Sequence, residues 1–176
     1  MHTFVSRCLL ALVLAAGFAV LPASRVDAAD LAPEDRVALL NLISAYSHEW
    51  DGGDQKGWVD LFQDDAVIQA SFRGQLAWKY GSNKERANFI KGFYDNSVKI
   101  GMLQSRHFQT NTMFTAQDDG TVHSDTMFAV TFQFKGEPAP RFSNTGIYRD
   151  HFVKTKAGWK FSLRDILVDQ EPPPAE

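Results

Sequence analysis

Histidine and acidic side chains are the groups in this sequence that could move protons or hold a metal. Five histidines occur among the 176 residues, together with 21 Asp and Glu residues. Histidine is the usual proton-transfer group near neutral pH, and a carboxylate partner can fix its tautomer. No two histidines and a carboxylate have the spacing of metal ligands, so the sequence predicts no metal site. It also contains no phosphate-binding glycine loop, nucleophile elbow or dinucleotide fingerprint, which predicts chemistry without a cofactor.

Net charge and cysteine content narrow the class of protein further. The formal net charge is −3, and basic residues form no cluster in the sequence. This argues against nucleic acid as a partner, because such proteins carry a basic patch. The single cysteine, Cys8, lies near the N-terminus, so the rest of the chain has no thiol. That composition is compatible with an oxidising compartment.

Residues 1–28 have the pattern of a signal peptide. Arg7 precedes an apolar run over residues 8–21, and Val26 and Ala28 match the small-residue pattern of a cleavage site. The alternative is a membrane anchor, but a spanning helix needs about 20 apolar residues and this run is shorter. We therefore expect an exported protein, periplasmic or secreted, without a membrane anchor after cleavage. One domain is expected over 29–170, followed by a disordered tail over 171–176.

Helical signals dominate the first half of the predicted domain. Leu39, Ile43, Tyr46 and Trp50 recur on one helical face, which predicts a helix beginning near Pro33 and ending at a Gly-Gly pair.

Two further helices and a strand are predicted after the first helix. Asp54 can cap a short second helix. A brief strand is predicted over 66–72. Ser82 and Glu85 have capping-box spacing and open a third helix that ends near residue 97.

The second half of the domain has the pattern of strands joined by turns. The predicted strands are 106–115, 122–134, 141–154 and 159–169. Helices followed by a long antiparallel meander indicate an α+β fold, with the helices covering one face of the sheet. Alternation places Phe128 and Val130 on the buried face of the second strand. In the third strand, alternation places Phe142 on the same side as Tyr148 and Phe152. In 106–115, neither side is clearly apolar or polar.

Three groups of short motifs follow one another along the chain. They are Tyr46-x4-Asp51-Gly52-Gly53-Asp54-x3-Trp58-x3-Phe62-x2-Asp65-Ala66, then Arg106-His107-x3-Asn111, and finally Gly146-Ile147-Tyr148-x-Asp150-x8-Trp159 with Arg164. In order and spacing they resemble the SnoaL-like branch of the nuclear transport factor 2-like superfamily, from about residue 33 to residue 168. The resemblance implies a curved antiparallel sheet, closed by about three N-terminal helices into a cone. It also implies an apolar pocket for a hydrophobic small molecule, and a homodimer.

The resemblance implies catalytic roles for Asp51 and His107. In relatives similar to scytalone dehydratase, an Asp and a His at these positions face the cavity, where they orient a water or serve as acid–base groups. The alternative is that Asp51 caps or flanks the following Gly-Gly turn, and that His107 is a core residue whose hydrogen bonds are all made within the protein. The second histidine of that dehydratase aligns near Thr131 or Phe132, so its mechanism does not transfer as a whole.

Tyr46 and Asp150 form a second candidate pair. They match the hydrogen-bond donors of the ketosteroid isomerase oxyanion hole, but Ala70 stands where that isomerase has its carboxylate base. Ordinary isomerisation of a ketosteroid is therefore not expected. The alternative is that Tyr46 is a core residue and that Asp150 pairs with Arg164. Further substrate contacts are predicted at Asn111, Tyr148 and Trp50.

The leading interpretation is a cofactor-independent lyase of the dehydratase type, acting on a small aromatic or polycyclic compound. His107 would transfer the proton and Asp51 would be its partner, with water or formaldehyde eliminated. One alternative is a non-catalytic exported binding protein for a hydrophobic small molecule. An isomerase-like relative and a purely structural dimer subunit are the others.

Overall fold

The computed structural model describes residues 31–172. The predicted signal peptide and most of the predicted tail lie outside this range, so export stays a prediction. The described chain contains three helices, α1 (Pro33–Gly52), α2 (Gln55–Asp60) and α3 (Asn83–Lys99). Within this range, no helix has the length and apolar composition needed to cross a bilayer.

Local sequence signals set the ends of the helices. Gly53 ends α1 in the left-handed conformation, with φ of 83°, which glycine adopts without steric cost. The Asp54 carboxylate accepts a hydrogen bond from the backbone N–H of Gly57 at 2.8 Å and caps α2. Ser82 Oγ accepts from the backbone N–H of Glu85 at 3.3 Å and caps α3. The predicted helix starts are therefore confirmed.

Six strands form one curved sheet. They are β1 (Phe62–Phe72), β2 (Gln75–Tyr80), β3 (Met102–Ala116), β4 (Val122–Phe134), β5 (Arg141–Thr155) and β6 (Gly158–Val168), in the spatial order β2-β1-β6-β5-β4-β3. The α+β class is confirmed, with one correction to the sheet. It is mixed rather than antiparallel, because β1 runs parallel to β6, and it does not close on itself.

The hairpin of β1 and β2 is longer than the sequence indicated. Only 66–72 was predicted as a strand. The chain turns at Arg73 and Gly74, with φ of 48° and 83°, and returns along β1 as β2. Most β2 side chains are exposed, although Trp78 and Tyr80 are partly buried and pack against the core.

A β-bulge in β5 decides which side chains of that strand face the helices. Val130 pairs with Asn144 and Thr131 with Phe142, which leaves Ser143 as an extra residue. The extra residue reverses the alternation. Phe142 consequently points outward and is 75% exposed, so the prediction that it shares the buried face with Tyr148 was wrong.

A bulge in β3 explains its mixed pattern. The register with β4 shifts between Thr110 and Met113, and Asn111 has φ of 54° there. Before the bulge, His107 faces the helices and Phe108 is exposed. After it, Phe114 is the inward residue and is buried.

The core lies between the helices and the inner face of the sheet. Helix α1 packs against β3 and β6, and α3 packs against β1 and β3. Aromatic rings fill most of this space, among them Tyr46, Trp50, Trp58, Phe62, Tyr148, Phe152 and Phe161. A cavity remains beside these rings.

Candidate functional site

A largely apolar cavity of about 260 Å³ lies between the inner sheet face and the helices. Its wall consists of Tyr46, Trp50, Ala70, Phe72, Trp78, Phe89, Phe93, His107, Phe128, Val130, Phe132, Asn144, Tyr148, Ile166 and Val168. Typical small-molecule sites begin at roughly 300 Å³. The cavity is therefore suited to a ligand of one or two rings.

His107 and Asp51 are in direct contact at the cavity wall. His107 Nδ1 lies 2.7 Å from Asp51 Oδ1, and the backbone N–H of His107 donates to Oδ2 at 2.8 Å. Ser105 Oγ donates to Oδ1 at 2.7 Å. The side chains of Asp51 and His107 are each only 9% exposed. The fold thus brings together two predicted residues that are 56 positions apart.

The end of α1 and the beginning of β3 position this pair. Asp51 lies in the last turn of α1, and its backbone carbonyl accepts a hydrogen bond from Gln104 Nε2 at 2.8 Å. Burial alone would raise the pKa of the Asp51 carboxyl, but hydrogen bonds from His107 and Ser105 lower it overall. Asp51 is therefore ionised at neutral pH.

Ionised Asp51 determines the tautomer of His107. A carboxylate only accepts hydrogen bonds, so Nδ1 carries the proton in this contact. In the neutral ring Nε2 is then the basic nitrogen, and no described residue hydrogen-bonds to it. The site therefore has one proton acceptor of fixed orientation.

His107 also borders a second, more polar cleft of about 530 Å³. Its other lining residues are Ser47, His48, Asp51, Gly52, Gln104 and Arg106. A histidine between an apolar cavity and a polar cleft can take a proton from a ligand on one side. It can exchange that proton with solvent on the other.

Three of the predicted substrate contacts line the same cavity as His107. The ring centroids of Trp50 and Tyr46 lie 5.6 Å and 6.1 Å from that of His107, and Tyr148 lies beside Tyr46. Burial raises the pKa of Tyr46 to about 12 and the pKa of Tyr148 well above its ordinary value. Both phenols are thus protonated near neutral pH and cannot act as bases there.

Asp150 does not line the cavity. It is fully buried, and Arg164 Nε and Nη2 donate to its two carboxylate oxygens at 2.8 Å and 2.7 Å. The Arg164 guanidinium lies 3.9 Å from the ring centroid of Tyr46 and 4.2 Å from that of Tyr148. Burial raises the pKa of Asp150, and the charge of Arg164 offsets part of this effect. Asp150 is therefore paired with Arg164, and the guanidinium of Arg164 packs against the rings of Tyr46 and Tyr148.

Asn111 also lies away from the cavity. It sits in the β3 bulge, is exposed, and its Nδ2 is 3.4 Å from Met127 Sδ. A spacing of four residues would keep Asn111 on the face of His107 in a regular strand. The bulge breaks that alternation.

Two polar residues of the site were not selected from the sequence. Ser105 bonds to Asp51, and Asn144 lines the cavity from β5. Ser105 shares its face with His107, and Asn144 shares its face with Tyr148, so alternation carried a signal for both. Within residues 31–172, no three His, Cys, Asp or Glu side chains cluster as metal ligands would.

Solved structures with the same fold come from several bacteria. ActVI-ORFA from Streptomyces coelicolor superposes with a TM-score of 0.66 at 18% identity, over 76% of this chain and 96% of that chain. A candidate scytalone dehydratase from Novosphingobium aromaticivorans gives 0.63 at 14% identity, over 81% and 96%. An NTF2-like protein with a cystatin-like fold from the same bacterium gives 0.63 at 22%, over 77% and 82%. At these identities the similarity establishes the fold.

The comparison with curated proteins finds no relative in sequence. The family model of the SnoaL-like domain, in contrast, matches residues 32–165. This range contains the three helices, the cavity wall up to Tyr148 and the contact between Asp51 and His107. The chain therefore belongs to the family of SnoaL-like domains.

Proposed function

We propose that this protein is a cofactor-independent lyase that eliminates water from a small hydrophobic ring compound. The observation that carries the proposal is the contact between Asp51 and His107 in the wall of an apolar cavity. Asp51 holds the imidazole so that Nε2 is the free basic atom. The cavity wall is largely apolar, and surroundings of low polarity strengthen the electrostatic effect of the few polar groups inside it.

Elimination needs one group that accepts a proton and then returns it. His107 Nε2 takes a proton from a ligand carbon, and the electron pair of that C–H bond forms a C=C bond. The C–O bond at the neighbouring carbon breaks at the same time. The leaving hydroxide receives the proton from the imidazolium and departs as water. Ionised Asp51 stabilises the imidazolium between the two transfers.

A substrate screen with variants tests the proposal. The protein is incubated with a pool of hydroxylated one- and two-ring compounds, and products are identified by mass spectrometry. We expect one compound to lose water. His107→Gln should lower this rate by about 10²- to 10⁴-fold, the usual contribution of a general acid–base group. Asp51→Asn should lower it as well, because the tautomer is no longer fixed.

His123→Gln is the matched control, because His123 lies on the opposite face of the sheet from the cavity. It should keep the wild-type rate. Loss of formaldehyde instead of water would keep the lyase class and change the leaving group. Unchanged turnover by His107→Gln would contradict the proposed role of the histidine.

A binding protein is the second candidate. It is favoured by the apolar character of the cavity wall, in which Ala70 stands at the position that matches the isomerase base. In that case ligands from the same pool would be retained by the wild type and by His107→Gln alike. They would be recovered at unchanged mass after long incubation.

We also propose that the protein forms a homodimer through the outer face of its sheet. Four large apolar side chains are exposed on neighbouring strands of that face, namely Phe108, Met113, Met127 and Phe142. Large apolar side chains exposed on one face of a protein are typical of an interaction site. A twofold interface can use one such surface on both copies.

A further inference from the structure

Three large aliphatic side chains are exposed where α3 ends and β3 begins. Val98 is 80% exposed, Ile100 54% and Leu103 63%. Val98 and Leu103 line the same surface groove, so they lie close together. We call these three residues the aliphatic tip. Large apolar side chains that are exposed as a group are typical of a surface that contacts a partner or a membrane.

Ordered backbone holds the aliphatic tip in its exposed position. Leu103 is an extra residue in β3, because the register with β4 shifts between Met102 and Gln104. Such a bulge bends the strand and redirects a side chain. The backbone N–H of Ile100 donates to the carbonyl of Asn96 at 3.0 Å and closes the end of α3. The exposure of these side chains is therefore set by the fold itself.

Two lysines flank the aliphatic tip. Lys99 directly precedes Ile100 in the sequence. Lys135 lies in the turn after β4, and its backbone N–H donates to the carbonyl of Gly101 at 2.9 Å, which places that turn beside the tip. Both lysines are exposed. Neither ammonium group has an ion-pair or hydrogen-bond partner in the described part of the chain.

The acidic residues of the same two segments are already paired. Lys91 Nζ lies 2.6 Å from the carboxylate of Asp95, one turn before the end of α3. In the turn after β4, Arg141 Nη2 lies 3.1 Å from the carboxylate of Glu137. This end of the molecule therefore has a local excess of positive charge, although the formal net charge of the chain is −3.

We propose that the aliphatic tip, together with Lys99 and Lys135, docks on the surface of a bilayer that contains anionic phospholipid. Aliphatic side chains can enter the boundary between headgroups and acyl chains, while lysine ammonium groups stay at the level of the phosphates. A few buried aliphatic groups bind a bilayer only marginally, so attraction between the lysines and anionic headgroups supplies the rest. The inference does not depend on the proposed lyase function.

A groove connects the docking surface with the interior of the protein. It has a volume of about 330 Å³ and runs from Val98 and Leu103 to Phe93. The ring of Phe93 also lines the apolar cavity. Docking at the tip holds this groove against the bilayer, where hydrophobic compounds concentrate because they leave water. The position of the tip therefore gives membrane docking a use.

Vesicle cosedimentation tests the proposal. The protein is mixed at low salt with vesicles of phosphatidylcholine alone, or of phosphatidylcholine and phosphatidylglycerol in a ratio of three to one. We expect the wild type to sediment with the mixed vesicles and to stay mostly in solution with phosphatidylcholine alone. Added salt should release the protein, because it screens the attraction between lysines and headgroups.

Variants assign the binding to the aliphatic tip and its lysines. Lys99→Ala and Lys135→Ala should each lower the partition coefficient about fivefold, the usual contribution of one basic residue near an anionic surface. Val98→Ser should lower it about tenfold, because one aliphatic side chain no longer leaves water. Lys79→Ala and Leu76→Ser change exposed residues of β2 and are the matched controls, which should bind as the wild type does. Circular dichroism establishes that each variant is folded.

Four results would overturn the proposal. They are a wild type that stays in solution with both kinds of vesicle, equal binding to both kinds, full binding by a folded tip variant, and equal loss in the β2 controls. If the wild type is a dimer and Val98→Ser is a monomer in analytical ultracentrifugation, the tip is a contact between copies, and membrane docking is also overturned. Each of these results leaves the lyase proposal standing, because that proposal depends on His107.

Discussion

The Asp51 carboxylate receives three hydrogen bonds, from Ser105 Oγ and from the backbone and ring of His107. A carboxylate with three donors has little freedom to rotate, so the imidazole it holds is also fixed. That rigidity is what acid–base chemistry requires, because a small misplacement of the reacting atoms costs much of the rate. The proposed chemistry of His107 therefore depends on the hydrogen bonds that fix Asp51 as well as on the imidazole itself.

Gly146 offers a test of packing at the residue scale. A Cβ atom at this position would lie 2.0 Å from the backbone oxygen of Leu167 and 2.9 Å from the Phe128 ring. Gly146→Ala should therefore lower the free energy of unfolding by about 1–3 kcal/mol, the usual cost of overpacking. Urea denaturation measures this change.

Gly92 in α3 is the matched control, because an added Cβ there meets no atom within 4 Å. Gly92→Ala should raise stability by up to about 1 kcal/mol through its higher helix propensity. If Gly146→Ala is as stable as the wild type, β5 and β6 are not packed as closely as described.

At the scale of elements, the bulges in β3 and β5 control which residues reach the site. A bulge adds one residue to one strand and reverses its alternation, but the sequence on either side still alternates normally. The alternation in 141–154 therefore predicted Phe142 on the same face as Tyr148. The bulge at Ser143 turns Phe142 to the outer face instead. The same limit explains Asn111, which the spacing from His107 placed on the inner face.

The contact between β4 and β5 includes two stacked histidines on the outer face. His123 and His151 are register partners, with ring centroids 3.6 Å apart and planes 6° apart. Burial lowers the pKa of both below the ordinary value, and the neighbouring ring and Arg149 lower that of His151 further, while Asp119 and Asp165 act in the opposite direction.

This pair predicts a loss of stability on mild acidification. These two histidines bind protons more readily in the unfolded chain than in the folded protein. Their contribution to the free energy of unfolding is therefore fully present above the ordinary histidine pKa of 6.5. It is lost as the pH falls through the lower folded values. Urea unfolding between about pH 7.5 and about pH 5 should show this loss in the wild type and less of it in His151→Gln. His48→Gln, at an exposed position of α1, should behave as the wild type. Equal acid sensitivity in His151→Gln would contradict the role of the pair.

At the scale of the whole molecule, the sheet has two different faces. The inner face and the helices enclose the cavity, whereas the outer face exposes Phe108, Met113, Met127 and Phe142. A standard protein–protein interface buries about 800 Å² on each partner. Four neighbouring large side chains on three strands can form the centre of such a surface.

The proposed dimer predicts the effect of a charge on this face. Met127 is 52% exposed on the central strand of the patch, so Met127→Glu should leave the fold intact. It should convert the dimer to a monomer in analytical ultracentrifugation, because a pair of buried like charges is costly. Leu76→Glu, on β2 at the opposite edge of the sheet, is the control and should remain dimeric. A monomeric wild type at all concentrations would contradict the proposal.

The sequence by itself determined the α+β class, the three helices and the four long strands, because caps, turns and periodicity are local properties. It also indicated the Asp51 and His107 pair through resemblance to a family. Only the tertiary structure decided that β1 runs parallel to β6, that Asp150 pairs with Arg164 instead of lining the cavity, and that the bulge in β3 takes Asn111 away from it. These features depend on strand order and bulges. Contacts between residues remote in sequence leave no periodic pattern in either segment, so they emerge only when the sheet is assembled.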